Sequence, residues 1–153
     1  MQYVKNYLFI QQSRYGDALK YQMDISENIL NCLIPTLALQ PLVDNAIKHG
    51  LEPKGGGSIL IFGRRDGDQV VLKVIDDGVG FEEEKNPLKQ REGKSASLGS
   101  GLLNIKKRLQ FYYGDDFQLN IVSRPEQGTE VSILLPFASD ANDEYVPVFW
   151  FDK

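Results

Sequence analysis

The sequence predicts an α/β chain of the α+β two-layer sandwich kind, with a mixed, mostly antiparallel sheet and helices on one face. Three observations carry this. Strand-like runs come in pairs around short turn sequences, not singly between helices. Three other segments repeat apolar residues at helical spacing. A long polar stretch, Glu82–Leu98, separates the two halves. A doubly wound parallel sheet would alternate strand and helix one by one, and this chain does not.

The elements follow in order. In residues 1–16, Tyr3, Tyr7, Ile10 and Arg14 form one helical row and Val4, Leu8 and Gln11 another, until Gly16 stops them. Tyr21–Ile25 alternates like a short strand. Pro35 can start a helix, in which Leu39, Leu42, Val43, Ala46 and Ile47 keep the helical period up to Gly50. Pro41 is expected near its first turn, where a missing N–H does no harm. After the turn Gly55-Gly56-Gly57, Ser58–Arg64 reads as a strand with Ile59, Ile61 and Gly63 on one side and Leu60 and Phe62 on the other. Asp66-Gly67-Asp68 turns the chain into a returning strand, Gln69–Asp76. Glu82–Leu98, broken by Pro87 and Gly93, is too long for an ordinary connection and reads as a lid or a disordered stretch. Leu102–Tyr112 returns to helical period. Phe117–Ser123 and Thr129–Leu135 form a second hairpin around Pro125-Glu126-Gln127-Gly128.

Length and composition bound the function. At 153 residues the chain suits one domain, and its 42% apolar and 25% charged residues are ordinary for a globular one. No apolar run approaches the ~20 residues of a membrane helix. No signal-peptide pattern follows Met1. The net charge of −4 speaks against general nucleic-acid binding, which needs a basic surplus. Cys32 is the one cysteine, so no internal disulfide forms; its apolar run, Ile29–Ile34, predicts a buried thiol. His49 is the one histidine, which excludes sites needing two.

Three motifs carry chemistry. Asp76-Asp77-Gly78-Val79-Gly80 follows a strand, where a fixed carboxylate can accept a hydrogen bond from an exocyclic amine and glycines allow close approach. Read alone, it is equally an Asp-Gly turn. Gly99-Ser100-Gly101-Leu102 begins a helix, exposing backbone N–H groups at its positive end, a ready phosphate site. Asp44-Asn45-Ala46-Ile47-Lys48-His49 puts Asn45, Lys48 and His49 on one polar helix face. An amide oxygen there can bind magnesium and a lysine can meet phosphate oxygens; a solvated helix face is the plain alternative.

Together, and with Gly128-Thr129 before the last strand, these segments resemble the ATP-binding domain of sensor histidine kinases, a Bergerat fold shared with gyrase and MutL. Leu39–Gly50 and Gly101–Leu109 are particularly similar to LytS-like kinases. The resemblance implies ATP and Mg2+ as ligands. Asn45 would bind the magnesium, and Lys48 and His49 would face the phosphates. Asp76 would accept from the adenine amine, with Gly78 and Gly80 giving the base room. Gly99, Gly101 and Leu102 would close over the triphosphate, and Thr129 would reach the adenine edge. Asp44 stands where the family usually has glutamate and is counted with Asn45 and Lys48 as catalytic.

The resemblance further implies a fragment: residues 1–16 as the tail of a dimerisation helix, 17–137 as the catalytic domain and 138–153 as an extension. The extension, polar and then aromatic over Tyr145–Phe151, is expected to pack on the domain or on a neighbouring molecule. The phosphoacceptor histidine would lie on a segment missing here. Implied partners are that dimerisation helix, a response regulator and a second copy of the parent. The domain itself would be cytoplasmic, touching neither nucleic acid nor membrane, in a parent anchored in the inner membrane. Two other readings keep the fold: a serine kinase of the anti-sigma type and a non-catalytic nucleotide-binding module.

Overall fold

A computed structural model describes residues 2–30, 32, 36–89 and 99–138. The order is α1 (Gln2–Tyr15), β1 (Leu19–Ile25), α2 (Thr36–Asn45), β2 (Gly57–Asp66), β3 (Gln69–Asp76), α3 (Gly99–Tyr113), β4 (Gln118–Arg124) and β5 (Gly128–Pro136). Five strands form one sheet in the order β1-β2-β3-β5-β4. Among the described residues only the β1–β2 pair is parallel. This is the α/β two-layer arrangement expected of the sequence.

Alternation decides which face is covered. Ile59 and Ile61 of β2, Val70, Leu72 and Val74 of β3, and Val131, Ile133 and Leu135 of β5 are buried. Val4 and Leu8 of α1, Leu39, Leu42 and Val43 of α2, and Leu102, Ile105 and Leu109 of α3 join them in one core. The helices thus share one side of the sheet. Leu72 is fully buried at its centre. Leu72→Ala is expected to cost about 2–5 kcal/mol in urea unfolding, the usual range for emptying such a site. A cost below about 1 kcal/mol would contradict this packing.

Three expectations change. Helix α2 already begins at Thr36, so Pro41 lies inside it, beyond the first turn. Its ring nitrogen cannot donate to the carbonyl of Leu37. The helix also does not run to Gly50 as α-helix: after Asn45 it widens into a π-helical turn, Ala46–Leu51. Cys32 is half-buried, and burial pushes its thiol pKa up.

The first part of the expected lid is anchored. Asn86, buried, donates its amide to the Ile121 carbonyl (3.4 Å) and accepts from the Leu88 N–H (3.0 Å). The remaining lid positions 90–98, the Pro35 helix start and the extension from 139 onward lie outside the described residues.

Candidate functional site

The carboxyl end of β3, the start of β5, the π turn and the start of α3 meet around an open cleft of about 430 Å³. Asn45, His49, Asp76, Gly80, Leu102 and Thr129 line it. The three motifs, far apart in sequence, therefore converge.

Asp76 is set by sheet register. It ends β3 opposite Thr129 of β5. Its Oδ1 accepts the Gly78 N–H at 2.9 Å, and the Thr129 backbone N–H donates to the same carboxyl group. Only 6% of the residue is exposed. Burial pushes its pKa up to about 6, against the pull of those two donors. A carboxyl group so held is a fixed acceptor in an apolar surround, suited to one N–H of a flat ligand.

The glycines around it have distinct duties. Gly50 passes so close that a Cβ there would stand 2.6 Å from Asp76 Oδ1. Gly78 was expected to make room for a base, but its space is filled by the chain itself: a Cβ would lie 2.3 Å from the Gly50 backbone. It lets the end of β3 abut the π turn, where the Val79 N–H donates to the Gly50 carbonyl at 3.0 Å. Gly80 takes φ +58° and lies against the Arg124 carbonyl, while lining the cleft.

Two supporting residues were not singled out from the sequence. Asp77 accepts the Ser58 N–H (2.8 Å) and hydroxyl (2.5 Å), which pins the loop after β3 to β2. The doubled Asp76-Asp77 is the signal that could have found it. Ser123 Oγ accepts the Phe81 N–H (2.9 Å), donates to the Gly128 carbonyl (3.1 Å) and shares a hydrogen bond with Thr129 Oγ1 (2.9 Å). It fixes Thr129, and a serine within a strand gives no hint of this.

Asn45 faces the start of α3. A Cβ on Gly101 would meet Asn45 Nδ2 at 2.9 Å and Oδ1 at 3.0 Å. Among the described residues Nδ2 is buried without a hydrogen-bond partner. Such an orphan is costly unless a ligand or water completes it. A magnesium–triphosphate would do so from both ends, with the amide oxygen available to the cation and the N–H to a phosphate oxygen. No group of three or more His, Cys, Asp or Glu suited to a metal occurs among the described residues. Magnesium bound with a nucleotide keeps several waters and takes most of its other ligands from the phosphates, so it needs few from the protein. The residues present therefore fit the ion together with a nucleotide. Gly99 opens α3, so backbone N–H groups of its first turn are unspent there.

Asp44 and Lys48 do not line the cleft. Lys48 was expected to face phosphates, but its Nζ donates to Asp44 Oδ2 at 2.7 Å. The i,i+4 spacing sets the two side chains one above the other. Asp44 Oδ1 accepts the Tyr7 hydroxyl of α1 at 2.5 Å. Burial would raise the Asp44 pKa, but Lys48 and Tyr7 outweigh it and hold the group below the ordinary carboxylate range.

Residues 34–139 match the family described as histidine kinase-, DNA gyrase B- and HSP90-like ATPase. The chain is 37% identical over 87% of its length to sensor histidine kinase YpdA of Escherichia coli. It is 36% identical over 87% to YesM of Bacillus subtilis and 34% over 90% to LytS of Oceanobacillus iheyensis. It spans 23%, 22% and 24% of those three proteins. Among solved structures, the catalytic domain of histidine kinase ThkA superposes with a TM-score of 0.67 at 15% identity, over 88% of this chain and 89% of that one. A histidine kinase domain from Erythrobacter litoralis gives 0.61 at 21% identity, over 88% and 59%. These two show the shared fold, and the matches in sequence show the kinship: the chain belongs to the histidine kinase-, DNA gyrase B- and HSP90-like ATPases, alongside LytS-like sensor histidine kinases.

Proposed function

We propose that the chain is the catalytic domain of a two-component sensor histidine kinase, which binds Mg-ATP and donates the γ-phosphoryl to a histidine on another segment. The observation that carries it is the pairing across one cleft of a buried carboxyl, Asp76, with an unpartnered buried amide, Asn45. A nucleotide is polar at both ends and flat and apolar between, and the cleft repeats that order. Asp76 accepts from the adenine amine, and Thr129, held by Ser123, presents its hydroxyl at the edge of the base. Leu102 gives an apolar wall. Asn45 would hold magnesium, which supplies charge neutralisation to the phosphates when bound. The first turn of α3, opened by Gly99 and Gly101, offers N–H groups to phosphate oxygens. His49 lies on the phosphate side with Asn45. ShkA, a neighbour by fold with a TM-score of 0.61 at 20% identity, was solved in complex with AMPPNP, which supports a nucleotide in such a cleft.

The acceptor imidazole attacks the γ-phosphorus through its unprotonated nitrogen. A P–N bond forms, the bond to the bridging oxygen breaks, and ADP leaves with the electron pair. This domain contributes position and charge, not a covalent intermediate. Phe9 and Ile10 project from α1 into solvent. They support the reading of residues 1–16 as part of a dimerisation helix, and 17–137 as the catalytic unit. A response regulator, a second copy of the parent, and a membrane anchor in the parent belong to the same proposal. No helix among the described residues is long and apolar enough to cross a membrane.

The test is transfer. The chain is incubated with radiolabelled Mg-ATP and the parent's phosphoacceptor helix. Acid-labile, base-stable label on that helix is expected, with Asn45→Ala reducing it at least about 100-fold, the scale of losing one positioned electrostatic ligand. Label on a serine of a partner protein would instead favour the anti-sigma type of kinase. Nucleotide affinity with no transfer to any acceptor would favour the non-catalytic module.

A further inference from the structure

Helix α1 is tied to the site segment by two tyrosine–carboxylate hydrogen bonds. Tyr7 donates to Asp44 Oδ1 at 2.5 Å, and Tyr15 donates to Glu52 Oε1. The two tyrosines and the two acids have the same spacing along their chains, so the bonds form rungs between α1 and the stretch running from the end of α2 through the π turn. The first rung matters to the cleft. Asp44 precedes Asn45, and its other oxygen is taken by Lys48 at 2.7 Å. Lys48 is more than half exposed, on a long stem free to swing. Asn45, the last residue before its turn, and His49 within it line the cleft.

One ammonium cannot fully serve Asp44 and a phosphate at once. How firmly Asp44 keeps it depends on how much of the carboxylate charge other donors satisfy, and among the described residues the Tyr7 hydroxyl is the donor to it besides Lys48 itself. We propose that Tyr7 is a positioning residue: by hydrogen-bonding Asp44 it sets how readily Lys48 leaves that carboxylate for nucleotide phosphates, so that the docking of α1 tunes ATP affinity. This rests on the nucleotide reading of the cleft. It gives α1 a lever on the site without touching the ligand. Glu52, also near Lys48, is itself engaged by Tyr15, so both acids that attract the lysine are bonded from α1.

The test is a double-mutant cycle read by calorimetric titration with Mg-AMPPNP on the whole chain. Tyr7→Phe keeps the ring and removes only the hydroxyl. It is expected to weaken binding about three- to tenfold, the share of a charge-assisted hydrogen bond that reaches Lys48. In an Asp44→Asn background the same change should have no effect within about twofold, since the ion pair it modulates is gone. Lys48→Met must cancel the Tyr7→Phe penalty as well, without altering α1. An equal loss in all backgrounds would make Tyr7 merely structural and overturn the proposal. So would no loss in the otherwise unaltered chain. Failure of the unaltered chain to bind Mg-AMPPNP would overturn the nucleotide reading first. That result is distinguishable because Tyr7→Phe is then never consulted.

Discussion

Asp76→Ala is expected to lower Mg-ATP affinity by about 30- to 1,000-fold, or about 2–4 kcal/mol, the range for removing the charged partner of a desolvated hydrogen bond. Calorimetric titration reads it directly. The size follows from burial. The carboxyl is held by two backbone N–H groups at one end of a mostly apolar cleft, so its removal leaves a ligand N–H facing apolar side chains. Affinity unchanged by the substitution would remove the base-binding half of the site. The raised pKa adds a pH signature. With the group at about 6, lowering the pH below that value protonates it and spoils the acceptor, so affinity should fall by up to about tenfold per unit. Stability runs the other way. A carboxyl whose folded pKa lies above its unfolded value binds more protons when folded, so its contribution is present in acid and is lost as pH rises from about 4 to about 6. Thermal unfolding between those limits should show this decline in the native chain and lack it in Asp76→Ala.

Gly128→Ala is expected to cost about 2–5 kcal/mol, and urea unfolding would show it. Two penalties add. The residue takes φ +83°, which costs an L side chain about 1 kcal/mol. Its Cβ would also stand 1.9 Å from the Asp76 carbonyl oxygen and 2.9 Å from Asp77 Cα, which only backbone movement relieves. Gly67→Ala separates the two effects. That glycine has φ +58° but nothing within 4 Å of the added methyl, so about 1 kcal/mol is expected there. Equal costs at both positions would mean that the β3–β5 seam gives way easily and that Asp76 is less firmly placed than it stands here.

Much of this is legible in the sequence alone. Alternation in Ile59–Phe62 and Val70–Ile75, with Asp-Gly between, defines a hairpin because period two and turn chemistry are local properties. The spacing of Leu39, Leu42, Val43 and Ala46 likewise gives a helix. The π turn was not legible, since one wide turn cannot be told from 3.6 periodicity over six residues. Nor was the true neighbour of Gly78, because a glycine announces freedom but not which chain will press against it. Lys48 was assigned to phosphates through the resemblance, yet its spacing from Asp44 already contained the ion pair. The Tyr7–Asp44 and Ser123–Thr129 bonds depend on tertiary approach and leave no mark in sequence pattern.

The strand order has a consequence for how the molecule acquires its shape. Hairpins β2–β3 and β4–β5 join neighbours in the chain and close small loops, whereas β3 meets β5 across the whole intervening lid and α3. Long loop closure is entropically slow, so the two ribbons precede their union along the folding route. Asp76 and Thr129 sit on opposite banks of that late junction. Nucleotide present during refolding therefore binds only after the rate-limiting association and should leave the folding rate unchanged while slowing unfolding.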